Sequence, residues 1–93
     1  MRNHVYIERL SRSGLQTGIV KEFDTKRGFG FIWIMDIDAI REGRSPDRCD
    51  PSVFVHQTDI SMEGFRELAV GVPVEFRIAS TERGSRAVDV SPF

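Results

Sequence analysis

The chain has 93 residues, enough for one small domain and too few for two. Hydrophobic residues make up 40%, so a core can form without a membrane, and no apolar run is long enough to span a bilayer. The formal net charge of -1 argues against a uniformly basic surface, so binding to a polyanion would need a local positive face.

The N-terminus, Met1 to Glu8, lacks the apolar stretch of a secretory signal. Val5 and Ile7 alternate with Tyr6 as in a strand, while Ile7 and Leu10 fit one turn of helix equally well. Ser11-Arg12-Ser13-Gly14 is a flexible joint, so residues 1–15 are expected to be an extension and residues 16–93 the domain. Residues 17–24, with Ile19, Val20 and Phe23, read as a strand, and Asp24-Thr25-Lys26-Arg27-Gly28 as a turn. A second strand carries Phe29 and Phe31 and runs on through Trp33 and Ile34. Charges, Gly43, Pro46 and Pro51 break the pattern over residues 35–51, where residues 38–42 suit a helical turn inside an enlarged loop. Val53-Phe54-Val55-His56 is a third strand, followed by a long connection anchored in the core by Ile60 and Leu68. Residues 72–78 alternate, with Val74, Phe76 and Ile78 on one face, and Pro73 marks the start or an edge. After the turn Thr81-Glu82-Arg83-Gly84, a fifth strand holds Val88 and Val90. Five short strands with few helical signals indicate an all-β, five-stranded antiparallel barrel, in which closure removes the exposed edges.

Strand side chains alternate between two faces. Phe29 and Phe31 share one face and Ile32 takes the other; Phe54 and His56 share one face, with Val53 and Val55 opposite. The aliphatics are the expected core, which leaves Phe29, Phe31, Phe54 and His56 together outside. Exposed rings at this density need a partner, and unpaired bases stack well on such rings. Lys21, Lys26 and Arg27 flank the rings, while Asp36, Asp38, Glu42, Asp47 and Asp50 gather in the loop, so the net charge conceals a positive face and an acidic segment. The opposing reading is that the extension or the loop covers the rings as a lid.

The order Lys21-Glu22-Phe23, Arg27-Gly28-Phe29-Gly30-Phe31-Ile32, Val53-Phe54-Val55-His56, then Glu63-Gly64-Phe65, Leu68, Gly71 and Arg83-Gly84, resembles the bacterial cold-shock domain. The resemblance covers residues 16–93 apart from the insertion near 35–51. It implies an oligonucleotide-binding (OB-fold) barrel of the cold-shock type that binds single-stranded RNA or DNA, with a role as an RNA chaperone or as a regulator of transcription or translation. It also implies that Phe29, Phe31, Phe54 and His56 form the stacking platform. Phe65 would be an outlying ring, Phe23 a partly exposed one, and Lys21, Arg27 and Arg83 backbone contacts at the rim. Glu22 stands where family members usually carry tryptophan, and Gln57 where they usually carry phenylalanine. Trp33, two residues beyond Phe31, compensates if the strand stays regular.

A rival reading is a protein-interaction barrel with weakened or lost nucleic-acid binding, motivated by Glu22, Gln57, the acidic insertion and the net charge. A homodimer in which residues 1–10 add a strand to a sheet edge is a further expectation. No cofactor, metal or catalytic activity is expected. His4, His56 and Cys49 show no ligand spacing, no nucleophile sits with a base, and Gly28-Phe29-Gly30 lies within a hairpin strand rather than before a helix. Cys49, the one cysteine, cannot form an internal disulfide, which fits a cytoplasmic location.

Overall fold

The computed structural model describes residues 15–61 and 68–92. The expected extension, apart from Leu15, therefore lies outside the described residues, as do the homodimer seam assigned to it and Phe65.

Alternation in the sequence becomes a closed barrel of five strands, β1 (Gln16–Asp24), β2 (Phe29–Ile34), β3 (Ser52–His56), β4 (Pro73–Thr81) and β5 (Gly84–Pro92). They run around the barrel in the order β1-β2-β3-β5-β4, and β4 returns to pair with β1. Four seams are antiparallel as expected; the β3–β5 seam is parallel, because the long connection after β3 and the β4–β5 hairpin bring β5 alongside in the same direction. The interior holds Val20, Ile32, Val53, Val55, Ile60, Leu68, Val74, Phe76, Ala87 and Val90. Ile60 and Leu68 anchor the core as the sequence indicates.

The β4–β5 register slips where two steps on β4 (Glu75 to Arg77) face three on β5 (Ser91 to Val88), so the extra residue lies on β5 and Val74, Phe76 and Ile78 keep one face, Ile78 half-buried against the core. In β5 the positive φ of Asp89 (52°) breaks the two-residue period, and Ala87 and Val90 turn inward while Val88 is half-exposed.

A second slip, between Val20 and Glu22, has the largest consequence for the outer face. Val20 opposes Ile32 and Glu22 opposes Phe31, so Lys21 is the extra residue of a β-bulge. The bulge drives the Glu22 carbonyl against Gly30, where an added Cβ would lie 2.1 Å from that oxygen. Glycine at position 30 is thus set by the close approach of the two backbones.

The insertion is built rather than loose. Its first residue, Met35, is buried and tied to β1: the Met35 N–H donates to the Thr17 carbonyl at 3.0 Å, and the Thr17 hydroxyl donates to the Met35 carbonyl at 2.6 Å. The helical turn expected at 38–42 is the short helix α1 (Ile37–Arg41), capped by the Asp36 side chain, which accepts from the Asp38 N–H. Beyond it the Arg44 guanidinium forks onto Asp50, Nη2 to Oδ1 at 3.0 Å and Nη1 to Oδ2 at 3.3 Å, and the Asp47 N–H donates to Asp50 Oδ2 at 2.9 Å. The Arg44 hydrogen bonds, followed by that of the Asp47 N–H, hold the Asp50 carboxyl below its ordinary value.

Two outcomes follow. Gly30→Ala forces the β1–β2 backbones apart and is expected to destabilise the barrel by about 1–3 kcal/mol, lowering Tm by on the order of 10 °C in thermal unfolding. Because the Asp50 value is depressed on folding, its contribution to loop order is complete above the ordinary carboxylate range and is lost as pH falls through the lowered value. An NMR titration should show the Asp50 carboxyl protonating below the ordinary carboxylate range, with the Asp47 amide, which donates to it, shifting in step.

Candidate nucleic-acid interface

Residues directly opposite in a ladder share a face, and the registers lay out the outer surface in rows. One row crosses the barrel as Glu22, Phe31, Phe54 and Arg86, on β1, β2, β3 and β5. The next runs Asp24, Phe29 and His56, and a third runs Ile19, Trp33 and Ser52. The alternation of β2 stays regular, with Gly30 and Ile32 buried between half-exposed Phe29, Phe31 and Trp33. Phe29, Phe31, Phe54 and His56 therefore meet on one face, as the sequence indicates, and they are not sealed into the core. Phe54 is the hub: its ring centroid lies 5.7 Å from that of Phe29, tilted by 32°, and 5.9 Å from that of Phe31, edge-on at 75°.

Trp33 extends the ring row along β2. Lys21, pushed outward by the bulge, holds its ammonium 4.5 Å above the Trp33 ring and 6.0 Å from that of Phe31. A positive charge thus stands at one end of the platform. Arg27 is at another rim, well exposed, with Nε 3.9 Å from Asp24. Arg83 is exposed in the β4–β5 turn, where the Thr81 hydroxyl accepts from the Arg83 N–H and donates to the Gly84 carbonyl. Among the described residues Arg83 makes no ion pair.

Phe23 is placed differently. It opposes Gly30 rather than an outer-face ring, and it packs half-buried against the core. The bulge at Lys21 sets this parity. Its edge still borders a shallow cleft shared with Glu22, Arg27 and Phe29. Gln57 does not stand in the ring row: its N–H donates to the Gly28 carbonyl at 2.8 Å, and its side chain lies over Gly28, where a Cβ would come within 2.8 Å of the Gln57 amide carbon. The φ of 77° calls for glycine at position 28, while the overlying amide is the end of an exposed, flexible side chain and can shift.

His56 is held by the turn that follows it. The Thr58 N–H donates to Nδ1 at 3.2 Å, which makes Nδ1 an acceptor and puts the proton of the neutral ring on Nε2. This turn, a 3-10 segment over Gln57–Asp59, also delivers Asp59, buried beneath the surface. Arg86 Nη2 donates to Asp59 Oδ1 at 3.1 Å, with 7% of the Asp59 side chain and 42% of the Arg86 side chain exposed. Arg86 and Phe54 border an open cleft of about 440 Å³ with His56, Thr81, Arg83 and Ser85. Sequence reasoning missed Arg86. The residue becomes part of the face only through the parallel β3–β5 seam, which no local pattern announces.

A closed five-stranded barrel with a cation-rimmed platform of rings on its β2–β3 face defines an OB-type barrel suited to unpaired nucleic acid. The model of the 'Cold-shock' DNA-binding domain matches residues 45–93. Cold shock-like protein CspD of Haemophilus influenzae is 33% identical over 79 residues, covering 85% of this chain and 93% of CspD. Human protein lin-28 homolog B is 43% identical over 75 residues, or 81% of this chain, which spans only 28% of that protein's length. Among solved structures, Drosophila Unr CSD456 superposes with a TM-score of 0.58 over 92% of this chain and 30% of its own, at 22% identity, which supports the fold alone. The chain belongs to the cold-shock domain family, and single-stranded nucleic-acid binding is the class of function that membership carries.

The Arg86–Asp59 pair generates a stability test. Removing the guanidinium leaves a buried carboxylate without its donor. Arg86→Ala is expected to destabilise the barrel by about 1–3 kcal/mol in urea unfolding. Asp59→Asn combined with Arg86→Gln, which removes both charges, should recover most of that loss.

Proposed function

We propose that this protein binds unpaired RNA or DNA by stacking bases on Phe29, Phe31, Phe54 and His56 while Lys21, Arg27 and Arg83 hold the phosphates. The observation that carries the proposal is the single-faced array: three phenylalanines and a histidine from two adjacent strands, with centroid distances of 5.7 and 5.9 Å about Phe54. Stacking accepts any base, because every base has a π-face, and the three cations stand at the edges where a backbone would run. Phe65 is proposed as an outlying ring of the same surface, and Phe23 as a contributor through its cleft edge only. The proposed role is binding rather than catalysis, in the cytoplasm, where the exposed thiol of Cys49 stays reduced.

Binding to unpaired strands favours them over hairpins by mass action, which is the physical basis for a chaperone or regulatory role. Glu22, at the end of the Phe31–Phe54 row, opposes phosphate nearby and favours strands that approach from the Arg86 side.

Titration of a fluorescent single strand tests the reading. Phe54→Ala is expected to weaken binding about tenfold or more, and more than Phe29→Ala, since Phe54 touches two rings; the far-ultraviolet spectrum should be unchanged. With three cations on phosphates, log affinity should fall against log salt with a slope of about -2. Unchanged affinity in both variants, or binding indifferent to salt, would instead favour a protein-interaction surface.

A further inference from the structure

We infer that Arg86, held in place by buried Asp59, reads the edge of a guanine stacked on Phe54. This rests on the stacking reading above and adds base selectivity to it.

Four observations converge. Arg86 is the register partner of Phe54, so its side chain starts from the strand directly beside that ring, whereas Arg27 and Arg83 start from turns. Its Nη2 is tied to Asp59 Oδ1 at 3.1 Å, and the carboxylate is itself buried, so the guanidinium has a fixed attachment beneath the surface. The other carboxylate oxygen, Asp59 Oδ2, is buried and has no partner among the described residues, so Arg86 is the group that answers this charge. Finally, Arg86 opens onto the cleft of about 440 Å³ between Phe54, His56 and the β4–β5 turn.

The pairing changes what the arginine does best. Asp59 offsets its charge, which lowers its value to a phosphate, but leaves the rest of its planar N–H fork for directional hydrogen bonds. Arg83, beside it with no ion pair among the described residues, is the better phosphate ligand in the same cleft. A donor fork seeks two adjacent acceptors. Guanine presents them as O6 and N7, whereas adenine pairs one acceptor with a donor and uracil offers no such neighbouring pair on that edge. Cytosine O2 and N3 form a similar pair on a smaller ring, so guanine ranks first because the purine keeps its overlap with Phe54. Arg86 is thus the residue that touches the base, and Asp59 is a positioning residue acting through it.

The test uses the full chain and uridine-rich single strands with one guanosine scanned along the sequence, each matched to strands with adenosine, cytidine or 7-deazaguanosine there. RNA and DNA versions separate the two sources of the base. At one position guanosine should be preferred to adenosine about tenfold, and 7-deazaguanosine, which lacks N7, should lose most of that preference. The double variant Asp59→Asn with Arg86→Gln should abolish the preference, so that the guanosine strand binds no more tightly than its adenosine match. Asp59→Asn alone should reduce the guanosine preference while all-uridine affinity rises, as the released Arg86 charge turns to phosphate, which a purely structural role would not do. Thermal unfolding of each variant confirms that it is folded at the assay temperature. All-uridine binding with no guanosine preference at any position would overturn the inference and leave the stacking reading standing. Uniform weakening of every strand by the double variant, with a shallower salt slope, would overturn it in favour of a phosphate contact. Failure of the wild-type chain to bind any strand would defeat both readings.

Discussion

The limited space inside a five-stranded barrel governs the rest of this structure. One layer of side chains fills it, and Ile32, Val53, Val55, Val20, Val74 and Phe76 already do so. Because strand side chains alternate, filling the interior with Ile32, Val53 and Val55 fixes the opposite destination for Phe29, Phe31, Phe54 and His56. The platform is therefore a geometric consequence of the core. A one-residue slip of β2 against β3 would bury three large rings in a space that cannot take them, so core packing also protects the site's register.

The electrostatics of the face are asymmetric for a similar reason. The row that crosses the platform begins with a carboxylate, Glu22, passes two rings and ends with a guanidinium, Arg86. The bulge that brings Glu22 opposite Phe31 also lifts Lys21 out over Trp33. A position that commonly supplies a ring in this family has become acidic, while the next ring in line on β2, Trp33, lies under a cation. The row of half-exposed rings therefore extends along β2 rather than across to β1. The acidic insertion is also more ordered than its composition indicates, because Arg44, Asp47 and Asp50 satisfy one another. The net charge of -1 is thus a sum over unlike regions and describes none of them.

Much of this was legible in the sequence where two-residue alternation was uninterrupted. Phe29 to Ile34 and Val53 to His56 gave both the strands and their outer faces, and Pro73 marked the start of β4. The reading weakened wherever a bulge changed the parity. Phe23 turns toward the core because of the extra residue at Lys21, and Val88 loses its place beside Val90 because of the backbone at Asp89. Both depend on how two strands fit each other, which residue type alone does not record. Arg86 was illegible for a stronger reason. Its neighbour Phe54 is thirty-two positions away across a parallel seam, and no local pattern sets its partner Asp59 apart from other carboxylates. Trp33 fell between these cases: its parity could be read, and the regular β2 ladder places it on the ring face.

The central claim is that unpaired bases settle on the outer rings while the barrel interior is undisturbed. The most direct measurement is an NMR titration of the full chain with a short single strand, following aromatic ring protons and core methyl groups together. The account predicts large upfield shifts for the rings of Phe29, Phe31 and Phe54, with the methyls of Val20, Val55 and Val90 nearly stationary. Shifts confined to α1 and residues 44–50, with the three rings unmoved, would contradict it.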